Sequence, residues 1–303
     1  MNALFEHIVA EMSKPQFYPD CPESIEVIQT HISVIFIAGD SVYKLKKPLN
    51  LGFLDFTSLE KRRHYCRQEV VLNSRFSENI YQGVVSIYVR DGVFSLQGPG
   101  EEIEIAVLMR KIPHDRIMIN MLREGAITPE MLEQLADRIV FFHSRAESSP
   151  EISNYGSLPV IYQNLRENFQ QTEAFVGRTL HEHTHRETAR LSYNFLKSHA
   201  DLLAQRSSNG FIRDCHGDLH LDHVVFLDKI MLFDCIEFND RFRFGDTASD
   251  LSFLLMDLDY KAYPGFAQRV EKRYLEASGD GDMEKLLPFY KSYRAFVRGK
   301  VHS

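Results

Sequence analysis

A chain of 303 residues, 44 % hydrophobic and 25 % charged, is long enough to bury a core in about two domains and too apolar to be disordered. Its 35 Lys+Arg against 42 Asp+Glu, a net charge of −7, lack the basic excess of a dedicated nucleic-acid binder. No apolar run nears the roughly 18 residues that cross a bilayer, which argues against a membrane protein, and Met1 to Lys14 shows no signal-peptide pattern. Cys21, Cys66, Cys215 and Cys235 are widely spaced and form no CxxC pair, as expected of reduced thiols in a cytoplasmic protein.

In chain order, Ile25–Gln29, Val34–Ala38 and Ser41–Lys46 are short runs rich in β-branched and aromatic residues and read as strands. Gly39-Asp40 between the last two is a tight hairpin turn. Thr57-Ser58-Leu59-Glu60 fits a capping box with Thr57 as N-cap, opening a helix through Cys66, Glu69 and Leu72 to Phe76. Val84–Val89, Val93–Leu96 and Ile103–Met109 complete a sheet of five or six strands, mostly antiparallel by its short connections. Pro113 ends the last strand, so the expected division is a β-rich lobe with one long helix over 1–112 and a larger, mainly helical lobe over 113–303. Thr128 with Pro129 opens the next helix, in which Leu132, Leu135, Ile139 and Phe142 recur at three- and four-residue spacing. Residues 154–206 read as two or three helices, short strands return at Val224–Leu227 and Ile230–Phe233, and the pattern from Thr247 is helical. That pattern is still running over Phe289–Val301, as it would in part of a longer polypeptide.

The densest polar run among apolar residues is Cys215-His216-Gly217-Asp218-Leu219-His220-Leu221-Asp222-His223, and a second carboxylate, Asp234, follows the strand Ile230–Phe233. A hairpin brings the loops flanking its strands together, so Asp218 and Asp234 are candidates to face one small cavity. Phosphoryl transfer uses such a pair, one carboxylate for the acceptor's hydroxyl proton and one for Mg²⁺ on the phosphates. It also needs a cation on the α/β-phosphates held by a carboxylate partner. Lys44 on the third strand and Glu69 on the long helix stand in the right order, although Lys46 shares the strand parity of Lys44.

Taken together, Val42-Tyr43-Lys44-Leu45-Lys46, Gln68-Glu69-Val70-Val71-Leu72-Asn73, His216-Gly217-Asp218-Leu219-His220, Asp234-Cys235-Ile236-Glu237-Phe238-Asn239 and Asp246-Thr247-Ala248-Ser249-Asp250-Leu251 span nearly the whole chain. In this order they resemble the aminoglycoside phosphotransferase-like family, small-molecule kinases of the protein-kinase-like fold. The resemblance implies an α+β, bilobal fold with ATP in the cleft between lobes and transfer of the γ-phosphate to a hydroxyl of a small molecule. It implies that Lys44 binds phosphates, paired with Glu69, that Asp218 is the catalytic base, that Asp234 ligates Mg²⁺, and that Asp250 anchors the catalytic loop. It makes Met109 to Pro113, with Lys111, a hinge that meets adenine through backbone groups. The turn Thr30-His31-Ile32-Ser33 falls where a protein kinase has its Gly-rich loop, which makes Ser33 a candidate nucleotide contact, but it contains no glycine. The likeness is to a bacterial branch whose longer members add a C-terminal P-loop kinase domain; no G-x-x-x-x-G-K-[ST] occurs here.

One position departs from the family pattern. Five residues after Asp218 the family carries Asn as a metal ligand, and here the residue is His223. Imidazole suits softer ions than Mg²⁺, which leads to a lost metal site, a shift toward Mn²⁺, or a nucleotide-binding pseudokinase. A different class, an Asp/His metallohydrolase, would use His216, His220 and His223 with the carboxylates, but leaves Lys44 and Glu69 without a role. His181, His183 and His185, and the basic run Lys61-Arg62-Arg63-His64, read as solvated helix faces, and His143 as a satisfied core histidine. The sequence leaves open the acceptor, ATP against GTP, and the oligomeric state.

Overall fold

The computed structural model describes residues 3–301; Met1, Asn2, His302 and Ser303, at the outer ends of the two expected domains, lie outside the described residues. The chain divides into two compact units, one running to Arg116 and taking in Met231–Asn239, the other comprising Ile117–Ile230 and the chain from Asp240 onward. Two contiguous pieces were expected, yet Met231–Asn239 clusters with the first. The reason is charge pairing between carboxylates of that segment and lysines of the sheet, a long-range contact invisible to a reading of local composition.

The first unit opens with α1 (Ala3–Met12) and continues through β1 (Ile25–Gln29), β2 (Ser33–Ala38), β3 (Ser41–Lys46), α2 (Leu59–Asn73), β4 (Tyr81–Arg90), β5 (Val93–Ser95) and β6 (Glu101–Arg110). Its six strands pair antiparallel throughout in the order β1-β2-β3-β6-β4-β5. The β2–β3 turn is tight because Gly39 takes a left-handed φ of +59° without a Cβ penalty. Period-two alternation splits β2 and β3 between two faces. Val34, Phe36, Tyr43 and Leu45 pack with Phe5, Ile8 and Met12 of α1, while Lys44 and Lys46 point the other way.

Two local readings change. The N-cap of α2 is Ser58, whose hydroxyl accepts from the Lys61 N–H at 3.2 Å; the Thr57 hydroxyl is spent on Asp55 at 2.6 Å, and the helix ends at Asn73. Within the basic run, Arg62 is buried rather than solvated, because Glu104 of β6 meets its guanidinium at 2.6 and 2.8 Å. A helix of ten residues, α1, also accompanies the longer α2.

The second unit holds α3 (Met118–Arg123), α4 (Pro129–Arg145), α5 (Pro150–Asn154), α6 (Leu158–Thr172), α7 (Glu182–Ser198), α8 (Ala200–Ser208), β7 (Ile212–Asp214) and β8 (Val224–Phe226). After β9 (Ile230–Leu232) it resumes with α9 (Asp240–Arg243), β10 (Phe244–Asp246), α10 (Thr247–Tyr260), α11 (Pro264–Ser278) and α12 (Leu287–Val301). Thr128 caps α4 with Pro129 at its first turn, and Leu132, Leu135, Ile139 and Phe142 are buried along one stripe. The antiparallel pair β7–β10 escaped the sequence reading because three-residue strands carry no periodicity. The core helix α10 is buried over Thr247–Leu258, polar residues included. The architecture is the expected α+β one: an antiparallel sheet with its long helix, followed by a mainly helical remainder. Among the described residues no helix is long and apolar enough to cross a membrane.

Candidate active site

In the first unit, five charged side chains line up end to end. Strand β3 points Lys44 and Lys46 to the same face, and α2 presents Glu69, fully buried, between them. Lys44 Nζ lies 2.8 Å from Glu69 Oε1 and 2.5 Å from Asp234 Oδ1. Lys46 Nζ lies 2.6 Å from Glu69 Oε2, bonds Glu237, and sits 5.0 Å from the centre of the Phe56 ring. Burial works against the Lys44 ammonium, but the charges of Asp234 and Glu69 outweigh it and hold its pKa well above the ordinary lysine value. Burial pushes the Glu237 carboxyl up, and Lys46 opposes that push. The outer end of the line is Asp234, with 38 % of its side chain exposed, whereas Lys46 is fully enclosed.

Asp234 sits in the left-handed region at φ +60°, a position Asp tolerates better than most residues but at a cost. Backbone contacts hold it there. The Asp234 N–H donates to Tyr81 Oη at 3.1 Å, the Cys235 N–H donates to Asn73 Oδ1 at 2.9 Å, and Asn239 Nδ2 donates to the Phe53 carbonyl at 2.9 Å. Asn73 is one helical turn beyond Glu69, on the same face.

Of the remaining residues expected to meet nucleotide, Ser33 and Met109 sit in the sheet and Lys111 just beyond it. Ser33 starts β2 directly opposite Lys46, and its hydroxyl is buried with no hydrogen-bond partner. Met109 lies in β6 between Val42 of β3 and Tyr81 of β4, inside the hydrogen-bonded ladder. The Lys111 N–H donates to the Asp40 carbonyl at 2.8 Å and is therefore not available to a purine base.

In the second unit the segment between β7 and β8 is pinned by one helix. Asp250 of α10 accepts from the His216 N–H at 3.1 Å and the Gly217 N–H at 2.8 Å, and lies 3.1 Å from His143 Nε2. Ionised Asp250 can only accept, so His143 donates to it from Nε2, and His143 Nδ1 lies 2.7 Å from the Tyr274 hydroxyl. Burial alone would raise the Asp250 pKa, but the hydrogen bond and charge of His143 bring it down to about 2. Gly217, at φ +82°, allows the sharp turn that aims both N–H groups at one carboxylate. Two turns along α10, Asp257 Oδ2 accepts from the Leu221 N–H at 3.1 Å. Arg294 of α12 donates to the Gly217 carbonyl at 2.9 Å.

This frame presents Asp218 among histidines. Its carboxylate lies 3.5 Å from His220 Nε2 and 3.6 Å from His223 Nδ1. Burial favours the neutral acid, but the hydrogen bond and charge of His220, with the charge of His223, hold Asp218 well below the usual carboxylate range. Despite burial, its bonds to Asp218 and Asp222 push the His220 pKa up to about 9. His223 Nδ1 sits 2.8 Å from the Asp218 carbonyl and donates to it, so Nδ1 is not a metal ligand.

As donors, the partly exposed Asp234 carboxylate fits a hard divalent ion such as Mg²⁺, whereas His223 offers nitrogen where such an ion favours oxygen. The sequence candidates thus fall into two sets: Lys44, Glu69 and Asp234 brought together in the first unit, and Asp218 and His223 in the second. Sequence reasoning gave no role to Glu237 and Asn73, which stand three residues after Asp234 and four after Glu69. Tyr81 and Asp257 carried no signal at all. His143 is buried and satisfied as expected, and of the three alternating histidines only His185 is partly covered, by Phe169 and Phe296.

Residues 100–289 match the family described as Phosphotransferase enzyme family. Relatives in sequence include an uncharacterized protein of Mycobacterium tuberculosis strain H37Rv, 30 % identical over 279 residues, which are 91 % of this chain and 54 % of the relative. The chain spans about half the length of such curated relatives. In fold it is similar to an ethanolamine kinase of Plasmodium vivax, with TM-score 0.51 and 12 % identity over 100 % of this chain and 85 % of that one. It is also similar to a choline/ethanolamine kinase family protein of Mesorhizobium loti, with TM-score 0.50 and 9 % identity over 98 % and 83 % of the two chains.

Proposed function

The chain belongs to the phosphotransferase enzyme family, and from that premise we propose that it transfers the γ-phosphoryl group of ATP to a hydroxyl of a small molecule. The observation that carries this reading is Lys44, held at 2.8 Å by buried Glu69 and at 2.5 Å by the more exposed Asp234. A buried cation fixed by one carboxylate beside a second, accessible carboxylate is the arrangement that binding a metal-complexed triphosphate requires. Lys44 would turn from Asp234 to the phosphates, and Asp234 would hold Mg²⁺, which would supply charge neutralisation on the transferring phosphates. The acceptor oxygen bonds to the γ-phosphorus, the bond to the ADP oxygen breaks, and the hydroxyl proton passes to the Asp218 carboxylate.

Asp218 is a weak base, because the neighbouring imidazoles hold its pKa low. Its contribution is to orient the hydroxyl and to take the proton late, which suits a loose transition state in which positioning and electrostatics supply most of the rate. Because the Lys111 N–H is engaged by the Asp40 carbonyl and the Met109 backbone by the sheet, adenine recognition falls to other backbone groups of the 109–113 segment.

The test begins with a thermal melt of the protein with ATP, with Mg²⁺ or Mn²⁺, and with each pair. Saturation at about 100 Kd adds roughly 2.7 kcal/mol, a readable shift. Stabilisation that needs nucleotide and metal together supports the reading; stabilisation by metal alone favours the Asp/His hydrolase, whose candidate ligands Asp218, His220 and His223 lie within 4.8 Å of one another. An acceptor screen follows, beginning with amino alcohols because of what the structural neighbours are named for. Asp218→Asn is its control, with an expected turnover loss on the order of 10²–10⁴.

His223 favours a second reading, a nucleotide-binding module without turnover. It predicts a melt shift with ATP and metal but no product from any acceptor, and wild-type turnover that disappears in Asp218→Asn would refute it.

A further inference from the structure

We propose that Glu237 sets the charge balance of the nucleotide half: by neutralising Lys46 it leaves Asp234 available to a divalent cation. This rests on the reading above and extends it to two residues with no assigned part in the reaction.

The five groups run in one line, Glu237–Lys46–Glu69–Lys44–Asp234, each within salt-bridge distance of the next. The inner four balance, two ammonium groups against two carboxylates. Asp234 is the fifth, at the exposed end, and brings the line to one net negative charge. Glu69 alone cannot balance both lysines, since it offers one charge shared between Oε1 toward Lys44 and Oε2 toward Lys46. Without the charge of Glu237, the deficit passes along the line, and Lys44 makes it up by clamping Asp234. A metal ion then competes with an ammonium already at 2.5 Å. Because the inner side chains are excluded from water, this redistribution is screened little.

Glu237 is not needed as a tether. Asp234, Cys235 and Asn239 fasten the same segment through Tyr81, Asn73 and the Phe53 carbonyl, and Phe238 packs on Phe53 and Phe56 with ring centres 6.1 and 6.3 Å away. A buried ion pair is costly to desolvate, so one that duplicates an existing attachment points to an electrostatic task.

The experiment reads melting temperature in two titrations of the full chain: MgCl₂ at saturating ATP, and ATP in excess EDTA. Glu237→Gln keeps the size and the hydrogen bond of the side chain but removes its charge. The expected result is a Mg²⁺ midpoint raised at least tenfold, with metal-free ATP binding as tight as in the wild type or tighter. Lys46→Met moves both quantities the other way, a lower Mg²⁺ midpoint and weaker metal-free ATP binding. The Lys46→Met/Glu237→Gln double variant, its charge count restored, falls between the singles.

A purely structural pair predicts something else: both titrations weakened together in every variant, and the double variant no better than the worse single. That outcome, or a Glu237→Gln midpoint equal to the wild type, overturns the proposal. Should Glu237→Gln fail to show a folding transition, Lys46→Met and the double variant carry the same opposite-sign test. A wild-type protein indifferent to ATP with Mg²⁺ overturns the kinase reading itself. A responsive wild type with unresponsive variants overturns only the role of Glu237.

Discussion

Asp250 gives the sharpest stability prediction. Asp250→Asn is nearly isosteric, so it tests charge and acceptor capacity rather than volume. In the wild type one carboxylate serves the His216 and Gly217 N–H groups and His143 Nε2. An amide offers one acceptor oxygen and turns an NH₂ toward a donor, so at least one buried N–H loses its partner, a loss of about 1–3 kcal/mol. The carboxyl pKa gives an independent estimate. Its fall from 3.8 to about 2 means that the folded state favours ionised over neutral Asp250 by roughly 2 kcal/mol.

Together these place the destabilisation at about 2–4 kcal/mol, or about 5–15 °C in melting temperature for a unit of this size. The sign of the pH dependence follows from a depressed folded pKa. The stabilisation is complete above the unfolded value of 3.8 and is lost as pH falls through about 2, with about half gone by pH 3. Urea unfolding of both proteins at pH 6 and pH 3, followed by circular dichroism, reads the difference. Hydrogen exchange at the Gly217 amide shows whether the loss is local. A difference below about 1 kcal/mol at pH 6, or one that does not shrink at pH 3, would refute the anchor reading.

His220 has the opposite sign: its raised pKa means that its contribution is complete below 6.5 and is lost as pH climbs through about 9, so His220→Gln should destabilise at pH 6 and converge with the wild type near pH 10 in matched urea melts. Arg206, almost fully buried, donates to Asp246 at 2.7 and 2.8 Å and to Asp280 at the same distances. Arg206→Met therefore strands two carboxylates and should cost about 3–5 kcal/mol at neutral pH. A loss under about 1 kcal/mol in the same assay would mean that water already reaches the pair.

What the sequence disclosed follows from what its signals measure. Strands β2 and β3 were legible because one face is buried against α1 and alternation records it, and α4 was legible through Thr128, Pro129 and its apolar stripe. The displaced cap of α2 reflects two adjacent hydroxyl residues, of which Asp55 claims Thr57 and leaves Ser58 for the helix. Lys44, Glu69, Asp218 and Asp234 were named through motif order. The partners that fix them were not, because Glu237 to Lys46 and Asn73 to Cys235 are contacts across more than 150 residues. Arg62 shows the same limit, since a basic run looks solvated until the strand bearing Glu104 is placed beside it.

The two units hold their candidate carboxylates by different physics, and the difference suits the roles proposed for them. Asp250 and Asp257, seven residues apart on α10, share one helix face and take backbone N–H groups at both ends of the 216–221 segment. Such donors cannot leave without unfolding the loop, so Asp218 is presented on a fixed frame. Asp234 is held by backbone contacts too, but its carboxylate is shared with Lys44, and that ion pair is exchangeable. An acceptor-orienting group gains from rigidity, because small displacements of a reacting oxygen cost large factors in rate. The nucleotide role proposed for Asp234 calls for a partner that can be traded, and a lysine balanced between Asp234 and Glu69 is such a partner.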